Sequence, residues 1–167
     1  TKRPVFDSLF MVCLVVSVSL IRVVMEPLPN VQPVTVAALL VGAQLGARRG
    51  AAFAVLVAMI SNMFMGDGWW TAFQAIGWAS IAVAGSRLPL VTSAGLNLGR
   101  VCIASVLAAL WFDFFVSLSL LDGTIGFYEF MIYLGHGLPF DFLHVIGNLT
   151  FTVWLGRWFY NLLEEEP

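Results

Sequence analysis

Carboxylate, imidazole and amide side chains recur in the apolar second half of the sequence at spacings that suit one helix face. Asp141, His144 and Asn148 are separated by three and then four residues, so a helix would stack them on a single side. Asp113 lies in the preceding apolar segment. Polar groups in such surroundings are costly, and they mark ligand sites, ion pathways or contacts between helices.

Other polar and aromatic residues are expected at the same level of the protein. Gln74 and Trp78 lie one helical turn apart, and two further candidates come from a proline-rich connection. The predicted substrate-binding residues are Asn30, Gln32, Asn62, Trp69, Gln74, Trp78, Asp113, Asp141, His144 and Asn148. The other halves of the same segments contain almost nothing polar except Ser and Cys. This asymmetry favours a pocket open at one end, where polar groups orient a ligand and aromatic faces hold it.

A purely structural interpretation of these residues stays open. Asp113 could pair with His144 or with a backbone donor, and Gln74 and Asn62 could join neighbouring helices. Trp69 could belong to the aromatic belt at a membrane surface. The functional interpretation depends on all the candidates lying at one level.

The composition predicts that membrane helices position these residues. Of the 167 residues, 60% are hydrophobic and 11% are charged, and the mean hydropathy is +0.92. Soluble domains are about half apolar and a quarter charged, so this chain has too little polar surface for a water-soluble globule. We predict one transmembrane domain over residues 1–167.

The net charge of -2, without a basic patch, excludes a nucleic-acid partner.

Six apolar segments are separated by proline, glycine and charged residues. They are Val5–Met25, Val34–Ala47, Ala51–Met65, Trp70–Ser86, Gly99–Leu121 and Phe140–Tyr160. They lack the alternation of barrel strands, so helices are expected. The second and third are short for a span of about 20 residues, and only Arg48, Arg49 and Gly50 divide them. The predicted fold is an all-α membrane protein, a bundle of six transmembrane helices.

The distribution of Lys and Arg predicts the orientation of this bundle. With both termini cytoplasmic, Arg22 is the only base on the outer side, and Glu164, Glu165 and Glu166 are inside. The inner bases are Lys2, Arg3, Arg48, Arg49, Arg87, Arg100 and Arg157. The outer connections are Glu26–Pro33, Gly66–Trp70 and Asp122–Pro139. Three prolines should keep the first connection extended. The third, rich in aromatic residues, suits a half-buried helix or a loop lying in the outer interface, and the first and third could act as lids.

Four stretches in this order resemble the substrate-binding S component of energy-coupling factor (ECF) transporters. They are Pro29-Asn30-Val31-Gln32-Pro33-Val34, Gly42-Ala43-Gln44-Leu45-Gly46-Ala47-Arg48-Arg49-Gly50, Ser61-Asn62-Met63-Phe64-Met65-Gly66-Asp67-Gly68-Trp69-Trp70-Thr71-Ala72-Phe73-Gln74 and Gly137-Leu138-Pro139-Phe140-Asp141-Phe142-Leu143-His144-Val145-Ile146-Gly147-Asn148. The resemblance covers most of the chain.

The resemblance implies a multi-pass protein of the cytoplasmic membrane that captures a vitamin or similar micronutrient from outside. It implies association with a membrane coupling subunit and cytoplasmic ATPases, with no catalytic activity and no catalytic cofactor in this chain. Asn30 and Gln32 would lie in the lid over the substrate. The family's Ala-x-x-x-Ala contact for the coupling subunit corresponds here to Cys13-x-x-x-Ser17. Relatives with similar loops suggest cobalamin as the substrate.

The main competing hypothesis is an intramembrane enzyme or a metal-binding protein that uses Asp113, Asp141 and His144 as acid, base or metal ligands. The sequence contains no HExxH and no GxSxG motif, which disfavours the common hydrolases. A protein that only assembles partners is a third possibility.

Overall fold

The structure, a computed structural model, describes residues 4–164, with side chains from Asp7 onward. The described residues form six α-helices, which confirms the all-α class: α1 Pro4–Val24, α2 Val34–Leu45, α3 Ala47–Met65, α4 Trp70–Gly85, α5 Leu98–Ser117 and α6 Phe127–Glu164. An antiparallel hairpin of β1 Val91–Thr92 and β2 Gly95–Leu96 joins α4 to α5, and a 3-10 turn, Leu118–Leu120, follows α5. Lys2, Arg3, Glu165 and Glu166 of the topology prediction lie outside the described residues.

Helix α2 is the centre of the fold. Every residue from Val34 to Gly42 is buried, and the helix packs against α3, α4, α5 and α6. A helix that is apolar on all sides is stable only in such an interior position. Its 12 residues make it about 18 Å long, which confirms that the second segment is short.

The backbones of α2 and α4 touch where they cross. A Cβ atom at Gly42 would lie 1.9 Å from the carbonyl oxygen of Ala82, and one at Gly85 would lie 2.3 Å from that of Leu39. Side chains are therefore excluded from this crossing. The glycines allow dense packing inside the bundle, as small residues do between membrane helices.

The predicted division between the second and third segments is wrong. The chain breaks at Gly46, whose φ of 87° lies in the region that favours glycine. Arg48 and Arg49 instead belong to the first turn of α3. The Arg49 guanidinium lies 3.7 Å from the Asp7 carboxylate, which brings the first turns of α1 and α3 to the same end of the bundle.

Helix α6 is longer than the sequence indicated. It begins at Phe127 and continues through Pro139 for 38 residues, so the predicted boundary at Phe140 is wrong. Proline lacks an N–H and cannot bond the carbonyl one turn earlier, but the helix continues on both sides of it. The third outer connection is therefore mostly a helical extension. Phe127 and Tyr128 at its start are 77% and 74% exposed.

The outer surface of the described helices is apolar, as a lipid environment requires. Three helical segments are long and apolar enough to cross a membrane: Asp7–Val24, Leu98–Leu120 and Phe127–Glu164. Large apolar side chains point outward along them, with Ile103 65% exposed and Trp154 75% exposed. Such extensive exposed apolar surface is unusual for soluble proteins. It indicates an all-α membrane protein.

Candidate ligand-binding cavity

A cavity of about 500 Å³ opens at one end of the bundle, between the loop after α1, the end of α5 and the first half of α6. Five of the predicted binding residues line it: Asn30, Gln32, Gln74, Asp113 and Asp141. Its aromatic lining comes from Phe112, Phe114, Tyr133 and Phe140. These five residues come from distant segments of the sequence and meet at one end of the bundle.

Arg22, on the last turn of α1, is a residue of the cavity that sequence analysis missed. It is buried, with 5% exposure. Its Nε donates to Gln32 Oε1 at 2.9 Å, and its Nη1 donates to Asn62 Oδ1 at 2.6 Å and to Ser61 Oγ. Its Nη2 makes a long contact of 3.4 Å with Gln74 Oε1. One guanidinium thus joins α1, the first outer loop, α3 and α4.

The same guanidinium lies over an aromatic ring. The Arg22 Cζ atom is 4.9 Å from the centre of the Trp78 ring, a favourable cation–π distance. Asn62 Nδ2 completes the network by donating to Gln74 Oε1 at 2.7 Å and Thr71 Oγ1 at 2.7 Å. Asn62 and Trp78 are therefore supports of Arg22 rather than parts of the cavity surface.

A second hydrogen-bond chain crosses the floor of the bundle behind the cavity. Trp78 Nε1 donates to Thr35 Oγ1 at 3.1 Å, Thr35 Oγ1 lies 2.9 Å from His144 Nε2, and His144 Nδ1 lies 2.9 Å from Asp113 Oδ1. The indole N–H can only donate, so the Thr35 hydroxyl proton is free to bond His144 Nε2. His144 Nδ1–H then donates to Asp113. The predicted pairing of Asp113 with His144 is confirmed.

Aromatic stacking holds this floor in place. The Phe112 ring lies 4.2 Å from the Trp78 ring, nearly parallel at 18°, and 5.6 Å from the His144 ring at 88°. Offset stacked and edge-to-face pairs are both favourable. Trp78 and His144 are each 0% exposed, so the structure gives them positions behind the wall, where they hold Arg22 and Asp113.

Two predicted binding residues lie away from the cavity. Trp69 is 60% exposed, and its Nε1 donates to the Ser119 carbonyl at 2.7 Å. Asn148 is buried one turn farther along α6 than His144, where its Nδ2 donates to the Ser105 carbonyl at 3.0 Å and its Oδ1 has no hydrogen-bond partner among residues 4–164. Direct ligand contact by these residues stays a prediction.

The loop that follows α1, residues 26–33, which sequence analysis assigned to the outer side, forms part of the cavity rim. The prediction that its prolines keep it extended is wrong, because it folds into turns: Leu28 N donates to the Met25 carbonyl at 2.8 Å and Val31 N to the Leu28 carbonyl at 3.2 Å. Asn30 takes a positive φ of 58°. Val31 lies against Gly147 of α6, where an added Cβ would be 3.3 Å from Val31 Cα. The loop therefore rests on α6.

The order of groups in the buried hydrogen-bond chain can be compared with that of a catalytic triad. Asp113, His144 and Thr35 are connected in the order of an acid, imidazole and hydroxyl triad. Thr35, however, is 0% exposed and already accepts from Trp78, so no substrate carbonyl could reach its oxygen. No group of three His, Cys, Asp or Glu residues in the described part of the chain is placed to hold a metal ion.

The predicted partner-contact residues lie on the outside of α1. Cys13 and Ser17 are exposed. They line an apolar groove of about 290 Å³ between α1 and α6, with Ala37 of α2 on its floor and Trp158 of α6 on its far side. The groove does not share lining residues with the cavity.

Comparison with known proteins places the chain in a family. No curated protein and no solved structure matches it. The family of unknown function DUF6580 matches residues 3–166, and the chain belongs to that family.

Proposed function

We propose that this protein is a membrane-embedded binding subunit that captures a small organic micronutrient, as the S components of ECF transporters do. The observation that carries the proposal is the cavity, in which polar groups from α1, the first outer loop, α4, α5 and α6 meet at one end of an otherwise apolar bundle. Concave sites with an apolar lining and a few convergent polar groups are typical of small-molecule binding. The sequence resemblance to S components supports the same function.

The proposed topology has six membrane spans, both termini in the cytoplasm and the cavity facing outward, in the cytoplasmic membrane. Gln44 at the end of α2 bonds the Tyr160 carbonyl near the end of α6, and Asp7 lies beside Arg49. These contacts join the ends of α2 and α6 and the starts of α1 and α3 at the end of the bundle opposite the cavity. Arg48, Arg49, Arg87, Arg100 and Arg157 belong to that end of the bundle, so the positive-inside rule places it in the cytoplasm.

The size of the cavity favours a compact ligand. Its volume of about 500 Å³ lies in the lower half of the usual range for small-molecule sites, about 300–1,000 Å³. A vitamin of one or two rings would fit this space more readily than a corrinoid. Cobalamin stays a prediction from the sequence resemblance, and its binding would require the rim to open.

The proposed partners are a membrane coupling subunit and cytoplasmic ATPases. Cys13 and Ser17 are exposed on α1, at the positions that the resemblance assigns to the coupling subunit. Small side chains allow a partner helix to approach closely. Replacing both residues with Leu should abolish co-purification with the co-expressed coupling subunit and leave ligand binding unchanged. Unchanged co-purification would contradict this contact.

The binding function is tested by the content of the purified protein. We expect the protein extracted in mild detergent to retain one small organic molecule per chain, which native mass spectrometry would detect. Asp141→Asn, on the cavity wall, should lower this occupancy. Asp67→Asn is the matched control, because Asp67 is exposed in a loop that does not line the cavity, and it should retain wild-type occupancy. Absence of any retained molecule from properly folded wild-type protein would overturn the proposal.

The alternative is an intramembrane enzyme or metal-binding protein that uses Asp113, Asp141 and His144. The bond between Asp113 and His144, with Asp141 lining the same cavity, is the observation that favours this alternative. Elemental analysis of the same preparation and chemical change of the retained molecule would support it. An unchanged organic molecule without metal would support the binding function.

A further inference from the structure

The Arg22 guanidinium is a buried positive charge surrounded by uncharged acceptors. Its partners are amide and hydroxyl oxygens of Gln32, Ser61, Asn62 and Gln74. Within the described residues, no carboxylate lies within ion-pair distance of it. Buried charges in proteins are usually paired, because desolvation of an unpaired ion costs several kcal/mol.

Glu26 does not supply the missing partner. It lies one helical turn after Arg22 and on the cavity rim, but its side chain is exposed and forms no ion pair with the guanidinium. A water-exposed carboxylate at this position attracts Arg22 weakly, because solvent screens the interaction.

Arg22 lines the cavity, and its Nη2 atom has N–H groups that make no short hydrogen bond within the described residues. A guanidinium has five N–H groups, and the Nε and Nη1 groups of Arg22 make contacts at normal distances. Nη2 makes only the 3.4 Å contact with Gln74 Oε1, an oxygen that also accepts the shorter bond from Asn62 Nδ2 at 2.7 Å. An acidic group in the cavity could therefore bond Nη2 without displacing a strong interaction.

The α5 and α6 side of the cavity carries the opposite charge. Asp113 and Asp141 both line it. The Asp113 carboxylate bonds His144 Nδ1, and Asp141 forms no hydrogen bond within the described part of the chain. A second anion would be repelled here, whereas an amine or a ring N–H would be bound.

We propose that the cavity selects a dipolar ligand, with a carboxylate or phosphate on Arg22 and a cationic or N–H donor group at Asp113 and Asp141. Phe112 lines the cavity; its ring stacks on Trp78, over which Arg22 lies, and meets His144, which bonds Asp113. An apolar ring therefore lies between the two ends, and the ligand carries its two polar groups on opposite sides of an apolar middle. This inference names the substrate class and rests on the proposed binding function.

The test uses three matched aromatic probes in equilibrium dialysis with the purified full chain. The dipolar probe is 4-(aminomethyl)benzoate. The probe 4-(aminomethyl)benzamide lacks the anion, and 4-methylbenzoate lacks the cation. We expect the dipolar probe to bind about tenfold or more tightly than either control, because each end contributes one charge-assisted interaction.

Gln74→Glu tests the Arg22 end without deleting Arg22. The new carboxylate would lie next to Nη2 and supply the counter-ion, so the variant should fold and should lose the preference for the acid over the amide. Arg22→Gln should lose the same preference if it folds. Asp141→Asn should reduce the preference for the amine. Asn161→Asp, an exposed position near the opposite end of α6 that does not line the cavity, is the matched control and should keep both preferences.

The outcomes separate this inference from the binding function. If 4-(aminomethyl)benzoate and 4-(aminomethyl)benzamide bind equally to wild type, the dipolar class is overturned. It is also overturned if Gln74→Glu still prefers the acid over the amide. Retention of a neutral molecule by the purified protein, without binding of the dipolar probe, also overturns the dipolar class but leaves the binding function intact. If no molecule is retained and no probe binds, the dipolar class and the binding function are both overturned.

Discussion

The two ends of the bundle join their helices by different means. At the end opposite the cavity, α2 and α4 cross at Gly42 and Gly85, where an added Cβ would meet backbone atoms of the other helix. At the cavity end, Arg22 and His144 connect helices through hydrogen bonds of their side chains. Helices are therefore joined by close backbone packing at one end and by polar side chains at the other.

This difference indicates which substitutions should affect stability and which should affect ligand binding. Packing at the glycine crossing has no freedom to adjust, whereas the cavity walls contain groups whose partners could change with a ligand. Variants of the crossing should lose the fold, and variants of the rim should lose binding while the fold persists. The following predictions test that contrast.

Gly42→Val should have the largest effect. Its Cβ would overlap the Ala82 carbonyl. Because the obstructing atoms belong to the backbone of α4, the overlap can be removed only if α2 and α4 move apart. We expect the free energy of unfolding to fall by more than about 4 kcal/mol. Aggregation in size-exclusion chromatography would report this destabilisation. Gly135→Ala is the control, since nothing lies within 4 Å of that Cβ, and it should behave as wild type or slightly better. A monodisperse Gly42→Val protein would show that the crossing is adaptable.

His144→Leu should destabilise the protein by about 3 kcal/mol, because it leaves Asp113 and Thr35 without their shared partner in a buried site. Thermal unfolding in detergent measures the loss. His136 provides a matched control, since it is exposed on α6 and His136→Leu should change stability by about 0.5 kcal/mol or less. Equal effects of the two substitutions would mean that the hydrogen-bond chain contributes nothing to folding.

Gly147→Ala should affect binding more than stability. The added methyl group would press on Val31, at a distance of 3.3 Å, and shift the rim loop by a few tenths of an ångström. We expect a stability change of about 1 kcal/mol and reduced retention of the native ligand in mass spectrometry. Full retention together with unchanged stability would show that the loop position is not set by α6.

The smallest expected effect is a spectroscopic one. The Asp113 carboxylate can only accept, so its bond to His144 favours the tautomer with the proton on Nδ1 and leaves Nε2 to accept from the Thr35 hydroxyl. Nitrogen-15 NMR of histidine-labelled protein should show Nδ1 protonated and Nε2 as an acceptor. In Trp78→Phe the Thr35 hydroxyl could reorient, so the Nε2 shift should move. Protonation at Nε2 in the wild type would contradict the proposed direction of the chain.

Much of this arrangement follows from local sequence patterns. Uninterrupted apolar runs predicted the six helices, because a lipid-facing backbone must satisfy its own hydrogen bonds. The spacing of Asp141 and His144 predicted a shared helix face, and the cost of a lone buried charge made His144 or a backbone donor the expected partner of Asp113. These conclusions need only helix periodicity and the cost of a lone buried charge.

Other features depend on tertiary packing that the sequence does not display. Arg22 was interpreted only as an outer base, because the same position near a helix end could point to water or inward. Thr35 lies in an apolar stretch, and its role appears only when α6 brings His144 beside it. Pro139 was interpreted as a boundary because the residue before proline avoids helix, but α6 continues through it.

The length of α6 has a practical consequence. His144 meets Thr35 near the start of α2, and the residues of α6 before His144 form about 25 Å of helix on the N-terminal side of that contact. At 18.3 kDa, the molecule is a small particle for electron microscopy. An antibody fragment raised against the exposed first turn of α6 at Phe127 and Tyr128 would add mass and mark the orientation of the particle.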